Sequence, residues 1–323
     1  MTQALNFTPK AIETLSSLPF ASAALSAAGV RYITSKLRQA QIFVLGDHGQ
    51  LLDRSKPRPQ VPCSLFRPPF PVVALEYTAV GKVWEEGQYS ASACPRRIAL
   101  AWDWQDDLPA ELADWCPGTL DPGVVVASIA FYEDIGLWMP ISAAIHLPYE
   151  AEWRHGPATP HVEAMVASGR LKPSMAALPG LSFSIVPIMP EVLAGLGVTY
   201  GSVEAVQDVL GADIMDELNA YLDLCLALGC KNVSARAYPA PAALNKQRLK
   251  AGKLPLLGFH VLELTGAGAL PAGGGVGDRS GPRSHLRRGH IRRLAADRIT
   301  WVNSSIVRGR GFVDKVYSAR AVA

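Results

Sequence analysis

Two segments of the chain show the hydrophobic spacing of helices. Thr8 followed by Pro9 has the pattern of a helix start, because the hydroxyl can accept a hydrogen bond from an unpaired amide and proline has no amide hydrogen. We predict that the alanine-rich sequence from there to about Leu37 is helical and that Pro19 and Gly29 divide it into two pieces.

The second helical segment begins at Ser202 and is expected to stop at Gly229, since glycine suits the position after a helix C-terminus. Its apolar residues recur three or four positions apart and therefore form one stripe along the helix. They are Ile214, Leu218, Tyr221, Cys225 and Leu228.

The middle of the chain has the short β-branched and aromatic runs of strands, separated by turn residues. Residues 133–136 fit a hairpin turn in which Gly136 is free to take a positive φ. Six prolines between positions 53 and 71 predict an extended connector without a helix. The predicted strands are 72–80, 97–104, 124–132, 137–146, 181–188 and 254–264.

These elements predict an α+β protein with a helical N-terminus, a mainly antiparallel β-sheet and a C-terminal α/β portion ending in a basic β-hairpin. We divide the chain into three regions. Residues 1–69 hold the N-terminal helices and the proline-rich connector, and residues 70–200 hold the acidic sheet region. Residues 201–323 form the C-terminal α/β region with the hairpin.

The composition is that of a globular protein, since 49% of the residues are hydrophobic and only 18% are charged. The longest apolar runs, 123–132 and 135–149, are shorter than the roughly 20 residues of a membrane-spanning helix, so no membrane association is expected. The first ten residues carry one lysine and no cationic cluster. We therefore predict no secretory signal and a cytoplasmic location.

No cofactor and no metal ion is predicted. The glycine-rich stretch 266–270 follows a predicted strand, but it lacks the correctly placed third glycine of a dinucleotide-binding loop. The spacing of His155, His161 and Glu163, with Glu152 upstream, matches no standard zinc pattern.

Isolated cysteines and carboxylates give weak signals for chemistry. The five cysteines lack a C-x-x-C pair and are expected to be reduced thiols, with Cys230 beside Lys231 as the one candidate for activation. Several acidic residues fall at predicted strand ends or turns, where a solvated surface position is the ordinary expectation. They are Glu76, Asp103, Asp106, Asp107, Glu133 and Asp134.

The net charge of +3 conceals a strong partition along the chain. Residues 68–230 carry six basic and 21 acidic side chains, a net charge of −15. Residues 231–323 carry 17 basic and four acidic side chains, a net charge of +13. A basic region of this density is typical of proteins that bind phosphate groups, although attraction between the two regions within the fold would give the same pattern.

Two basic clusters form the candidate phosphate-binding site. The first, 244–253, is expected to be a surface loop or a short helix, and the second is predicted to be a hairpin with arms 290–294 and 298–303. Arginine suits bidentate contacts to phosphate or guanine, and tryptophan can stack on a base. The candidate residues are Lys246, Arg248, Lys250, Lys253, Arg283, Arg287, Arg288, Arg292, Arg293, Arg298 and Trp301.

Three functions fit this pattern. The favoured one is a non-enzymatic protein that binds DNA, RNA or another polyanion. The second is an enzyme in which His285 and His290 act as general acid and base on a phosphodiester, nucleotide or glycosidic bond while the arginines hold the anion. The third is a protein-interaction or virion component whose basic tail docks on an acidic host or phage partner. A purely structural alternative is an arginine-rich ribbon laid across the acidic region of the same chain.

The basic clusters also carry a resemblance. Asn245-Lys246-x-Arg248 with Lys253-Leu254-Pro255-Leu256, followed by Arg-x-His-x-Arg-Arg-Gly-His-x-Arg-Arg from Arg283 and then Trp301-Val302, resembles accessory proteins encoded by tailed bacteriophages and prophages. The resemblance covers residues 244–307 and, more faintly, 70–76. It implies a phage-encoded protein acting in the bacterial host cytoplasm, in takeover, nucleic-acid metabolism or counter-defence, and it assigns no catalytic residue.

Overall fold

The computed structural model describes residues 4–19, 23–52, 60–79, 94–105, 107–116, 120–154, 163, 166–167, 180–264, 285–287, 290–295, 298–302 and 305–307. The helices are α1 (Phe7–Ser17), α2 (Ala24–Gln39), α3 (Ala110–Ala113), α4 (Pro190–Tyr200), α5 (Val203–Leu228) and α6 (Ala242–Lys250). The strands are β1 (Gln41–Val44), β2 (Val72–Thr78), β3 (Arg96–Asp103), β4 (Gly123–Tyr132), β5 (Leu137–Pro148), β6 (Trp153–Arg154), β7 (Gly180–Leu181), β8 (Ser184–Pro187), β9 (Val233–Tyr238), β10 (Phe259–Leu264), β11 (His285–Arg287), β12 (His290–Ala295), β13 (Arg298–Val302) and β14 (Ser305–Val307).

Eight strands form one mixed sheet in the order β8-β5-β4-β3-β2-β1-β10-β9. Strand β1 pairs in parallel with both β2 and β10, and the other neighbouring strands of this sheet are antiparallel. The predicted α+β class with a mainly antiparallel sheet is therefore confirmed. The sheet takes strands from all three regions of the chain and so joins them.

The predicted meander is confirmed to within a few residues by β2, β3, β4 and β5. The turn between β4 and β5 contains Gly136 at φ 67°, as the hairpin requires. Two other predicted strands were too long. The segment 181–188 divides into β7 and β8, and the strand predicted at 254–264 begins at Phe259 as β10. Strands β1, β6, β9, β11 and β14 and helices α3 and α4 were not predicted.

Helices cover both faces of the sheet. Helices α1 and α2 bury Phe7, Ile12, Ile33 and Leu37 against β1 to β5 and the segment after β8. On the opposite face α5 buries its apolar stripe with side chains of β1 to β5 and of the connector before β2. Because both faces of the central strands are covered, β2 is buried at every position except its last.

The N-terminal helices differ from the prediction in two respects. Helix α1 begins at Phe7, one residue before Thr8, and the Thr8 hydroxyl, fully buried, has no hydrogen-bond partner among the described residues. Gly29 lies inside α2 and does not divide the segment, so the break falls only around Pro19. A buried helix position can hold glycine because packing, not local propensity, decides the site.

The connector before β2 also departs from the prediction. One turn of 3-10 helix at Cys63–Phe66 follows Pro62, whose fixed φ allows it to precede a helical turn. Cys63 and Phe66 are buried in the α5 face of the core. The predicted absence of any helix between 53 and 71 is therefore wrong, because these apolar side chains anchor a turn.

None of the helices in the described part of the chain has the length and apolar composition that a bilayer crossing requires. Helix α5 is the longest at 26 residues, but it carries six acidic side chains.

Candidate functional site

Helix α6 holds the first basic cluster, and two polar side chains attach it to the chain that follows. Asn245 donates through Nδ2 to the carbonyl of Leu256 at 2.8 Å and accepts the amide of Leu256 on Oδ1 at 2.7 Å. Arg248 donates through Nε to the carbonyl of Leu254 at 2.8 Å, and its Nη2 lies 3.6 Å from Oε1 of Glu13. These bonds hold one side of α6 against the segment that leads into β10.

The other side of α6 faces outward. No residue of this helix is buried, and Lys246 and Lys250 are exposed. These lysines are four residues apart, so they lie together on the helix side opposite Asn245 and Arg248. Lys253 is exposed directly after the helix. The lysines repel one another in the absence of a partner, and an anion between them would relieve that repulsion.

Arg248 has a different environment from the three lysines. Its side chain is half-buried between Glu13 of α1 and the carbonyl of Leu254. It therefore positions α6, whereas the lysines remain accessible.

The second basic cluster forms the predicted hairpin. Strands β12 and β13 are antiparallel, with His290 opposite Val302 and Arg292 opposite Thr300, and the register shifts between Arg293 and Ala295. Arg292 is exposed. A Cβ atom placed on Gly229 would lie 3.4 Å from Cδ1 of Ile299, so the hairpin sits beside the C-terminal end of α5.

The remaining predicted residues are only partly located. Arg287 lies on β11, Arg293 on β12, and Arg298 with Trp301 on β13, whereas Arg283 and Arg288 lie outside the described residues. The two histidines of the enzymatic alternative belong to different strand pairs. His285 is opposite Val307 in the β11–β14 pair, and His290 is in the β12–β13 pair.

A buried ionic cluster joins the sheet to α5, and the sequence did not reveal it. Glu217 is fully buried, and its Oε1 accepts hydrogen bonds from Tyr77 at 3.0 Å and from Nη1 of Arg97 at 3.1 Å. Arg97 also donates through Nε to the carbonyl of Cys94 at 2.7 Å. Glu217 falls three residues after Ile214 on the apolar stripe, and that position was the one local signal of its burial.

The carboxylates near strand ends were expected to be solvated, and among the described ones the structure corrects that expectation for Glu76. Glu76 is only 1% exposed. Asp103 accepts a short hydrogen bond from the hydroxyl of Tyr149. Asp107 lies 2.6 Å from Nζ of Lys36. Asp107, Glu133 and Asp134 are exposed, as expected, and Arg96 binds both oxygens of Glu133. Asp106 lies outside the described residues.

All five cysteines are thiols, as expected. Cys230 is buried, and burial raises the pKa of its thiol to about 11. The neighbouring Lys231 does not activate it, because a raised pKa keeps the sulfur protonated at neutral pH. In the part of the chain that the structure describes, no group of three or more His, Cys, Asp or Glu side chains could hold a metal ion. His155, His161 and the glycine-rich stretch 266–270 lie outside that part.

The buried cluster makes the stability depend on pH. Burial raises the pKa of Glu217, while the Arg97 charge opposes that shift. A carboxyl group that binds its proton more tightly in the folded chain stabilises the fold below the ordinary glutamate pKa of about 4.3, and this contribution is lost as the pH rises through the raised value.

Glu217→Gln should therefore flatten the fall in unfolding free energy as the pH rises above the ordinary glutamate pKa of about 4.3, measured by denaturant titration. Glu133→Gln, on the exposed pair, is the control and should keep the wild-type profile. Parallel profiles for wild type and Glu217→Gln would contradict the prediction.

Comparisons with known proteins add no assignment to this geometry: no family model, no curated protein and no solved structure matches the chain.

Proposed function

We propose that the protein binds nucleic acid through a basic C-terminal surface, without chemistry of its own. The observation that carries this proposal is α6, a helix with no buried residue whose Lys246 and Lys250 project together away from the tethered side. A helix of nine residues is marginal in isolation, so one that buries nothing contributes little to the core. Its exposed lysines are therefore available to a partner.

The exposed hairpin residue Arg292 supports the same function. Arginine binds phosphate with two parallel hydrogen bonds. Trp301 is opposite Ile291, one position along from Arg292, so a base stacked on Trp301 would lie on the other face of the hairpin. Arg283, Arg287, Arg288, Arg293 and Arg298 would extend the positive potential of this region. In line with the resemblance noted above, we propose that the protein is a phage-encoded accessory protein.

Two arginines of the C-terminal region pair with acids outside the acidic segment 68–230. Arg236 pairs with Glu263 at 3.2 Å, and Arg248 lies near Glu13. Neither arginine belongs to the hairpin, so the stability of a hairpin variant is what tests the ribbon alternative.

The test is a set of binding titrations against single- and double-stranded DNA and RNA at several salt concentrations. The logarithm of the association constant should fall linearly with the logarithm of the salt concentration, with a slope of about 0.9 per duplex phosphate neutralised. The absence of binding to every polynucleotide at low salt would overturn the proposal. Binding to an acidic protein in that case would favour the docking alternative.

The double variant Lys246→Glu with Lys250→Glu should weaken binding about tenfold or more and lower the salt slope by about 2, because each lysine is expected to neutralise one phosphate. Stability should change little, since both side chains are exposed. The matched control is Arg31→Glu with Arg38→Glu on the exposed side of α2, which makes the same change in net charge.

Equal losses of affinity in the two double variants would mean that only net charge matters and that α6 is not the binding surface. Arg292→Glu extends the test to the hairpin. It should also lower the affinity and the salt slope while leaving the unfolding free energy within about 0.5 kcal/mol of wild type.

A further inference from the structure

Two glutamates bind the N-terminal ends of helices from elsewhere in the fold. Glu191 of α4 accepts the amides of Leu25 and Ser26 at 2.8 Å each, so both of its carboxylate oxygens are used. Glu76 of β2 accepts the amide of Thr8 in α1 on Oε1 at 2.7 Å. The other oxygen of Glu76, Oε2, is buried and has no hydrogen-bond partner among the residues that the structure describes.

A small half-open pocket lies beside Glu76 at the N-terminal end of α1. Its walls are mostly apolar, and it has room for about one water-sized group. Glu76 supplies the charged part of the lining, and the apolar walls include Pro9, Ile42, Val44, Leu257 and Phe259.

The chemistry of this pocket defines its ligand. A buried carboxylate oxygen without a hydrogen-bond donor is costly, and a charged donor compensates it best. A guanidinium group exceeds the available space, and a metal ion would need more ligands than one carboxylate. A primary ammonium group has the size of a water molecule, carries three donors and leaves its carbon chain to contact apolar walls.

We propose that this pocket binds the primary ammonium group of a short alkylamine, which donates a hydrogen bond to Oε2 of Glu76 while its methylene groups contact Ile42 and Phe259. The aromatic ring of Phe259 adds a favourable surface for a cation. The site differs from the basic surface in its charge preference, although Leu257 in its wall continues the segment that anchors α6.

The charges around Glu76 are few. Burial raises the pKa of Glu76, and it outweighs the amide and hydroxyl of Thr8, the amide of Phe7 and the more distant cation of Lys10, which all favour the ionised carboxylate. An ammonium group bound to Oε2 stabilises the carboxylate and should therefore lower that pKa. Affinity for the amine should rise as the pH rises through the raised pKa of Glu76, because the ionised carboxylate is the form that pairs with the ammonium group.

Calorimetric titration with propylammonium chloride at constant ionic strength tests the site, with tetramethylammonium chloride as a cation of the same charge that has no N–H donor. Propylammonium should bind saturably, and tetramethylammonium should not. Glu76→Gln should weaken propylammonium binding about tenfold or more. Equal behaviour of the two cations, or unchanged affinity in Glu76→Gln, would overturn the proposal and leave a water molecule as the occupant.

Glu191→Gln is the matched control, because Glu191 also caps a helix but has both oxygens occupied. This variant should bind propylammonium with wild-type affinity.

If Glu76→Gln fails to fold, Leu257→Phe fills the pocket without altering the carboxylate and should abolish binding. Carboxyl NMR of Glu76 gives a second measurement, since its pKa should fall on addition of propylammonium. An unchanged pKa in the presence of saturating amine would overturn the site.

The ammonium group could belong to a free amine or to a lysine side chain of another protein. Titration with N-acetyl-lysine amide beside propylammonium separates these sources. Tighter binding of the lysine derivative would assign the pocket to a protein lysine, and preference for propylammonium would assign it to a free small amine. Each result supports the ammonium site.

Discussion

Gly29→Ala should destabilise the folded chain by about 3 kcal/mol or more. A Cβ atom on Gly29 would lie 1.7 Å from the carbonyl oxygen of Ile188, which is far inside van der Waals contact. The neighbour cannot yield easily, because the amides of Ile188 and Met189 both donate to the carbonyl of Ser142 in β5 at 2.9 Å. Helix α2 would have to move away from the sheet, and its buried face would lose packing.

Gly195→Ala is the matched control for this substitution. Gly195 also lies inside a helix, α4, but it is exposed and nothing would stand within 4 Å of an added Cβ. Alanine should therefore stabilise the chain by about 0.5–1 kcal/mol through helix propensity. Denaturant titration measures both changes. If Gly29→Ala also raised the unfolding free energy, α2 would be able to shift at little cost, which would contradict the close contact with Ile188.

Arg97→Met should cost about 3–5 kcal/mol at neutral pH, since it leaves Glu217 buried without its cation. The side chain of Arg97 is 23% exposed and that of Glu217 is fully buried, so water cannot replace the lost charge. The cost should shrink in acid, because Glu217 can then bind a proton. Addition of Glu217→Gln to Arg97→Met should recover part of the loss, since the unpaired charge is removed while Tyr77 keeps an acceptor.

The neighbouring substitution Arg96→Met provides the comparison. Arg96 pairs with Glu133 at 2.8 Å, but that pair lies at the surface and should contribute at most about 1 kcal/mol. Unfolding free energies of Arg96→Met, of Arg97→Met and of the double variant Arg97→Met with Glu217→Gln test this difference between the exposed and the buried pair. Equal costs for Arg96→Met and Arg97→Met would mean that burial of the Glu217 pair adds nothing to its importance.

Some parts of the fold were predictable because their information is local. The runs of β2 to β5, the hairpin turn at Gly136 and the apolar stripe of α5 each depend on residues a few positions apart. The β12–β13 hairpin was found in the same way. Strand β1 escaped notice because Gln41–Val44 has only four residues between a helix and a loop, too few to show alternation.

The candidate sites also differ in whether their residues are close together in the sequence. The lysines of α6 and the arginines of the hairpin are close in sequence, so the charge count revealed them. The cluster of Tyr77, Arg97 and Glu217 spans 140 residues between its first and last members and has no linear signature. Glu76 was misplaced because an acidic residue near a strand end is usually solvated, whereas the layer of α1 and α2 covers this one.

Periodicity and charge are properties of short segments, and they were enough to predict the fold class, the β2 to β5 meander, the longest helices and the separation of acidic and basic regions. The tertiary structure was needed to show that β1 lies in parallel between β2 and β10, that Arg248 positions α6, and that Gly29 must be small. It also decided which carboxylates are buried. These features depend on which distant segments come into contact, and contact between layers of the fold, unlike periodicity, leaves no mark on neighbouring residues in the chain.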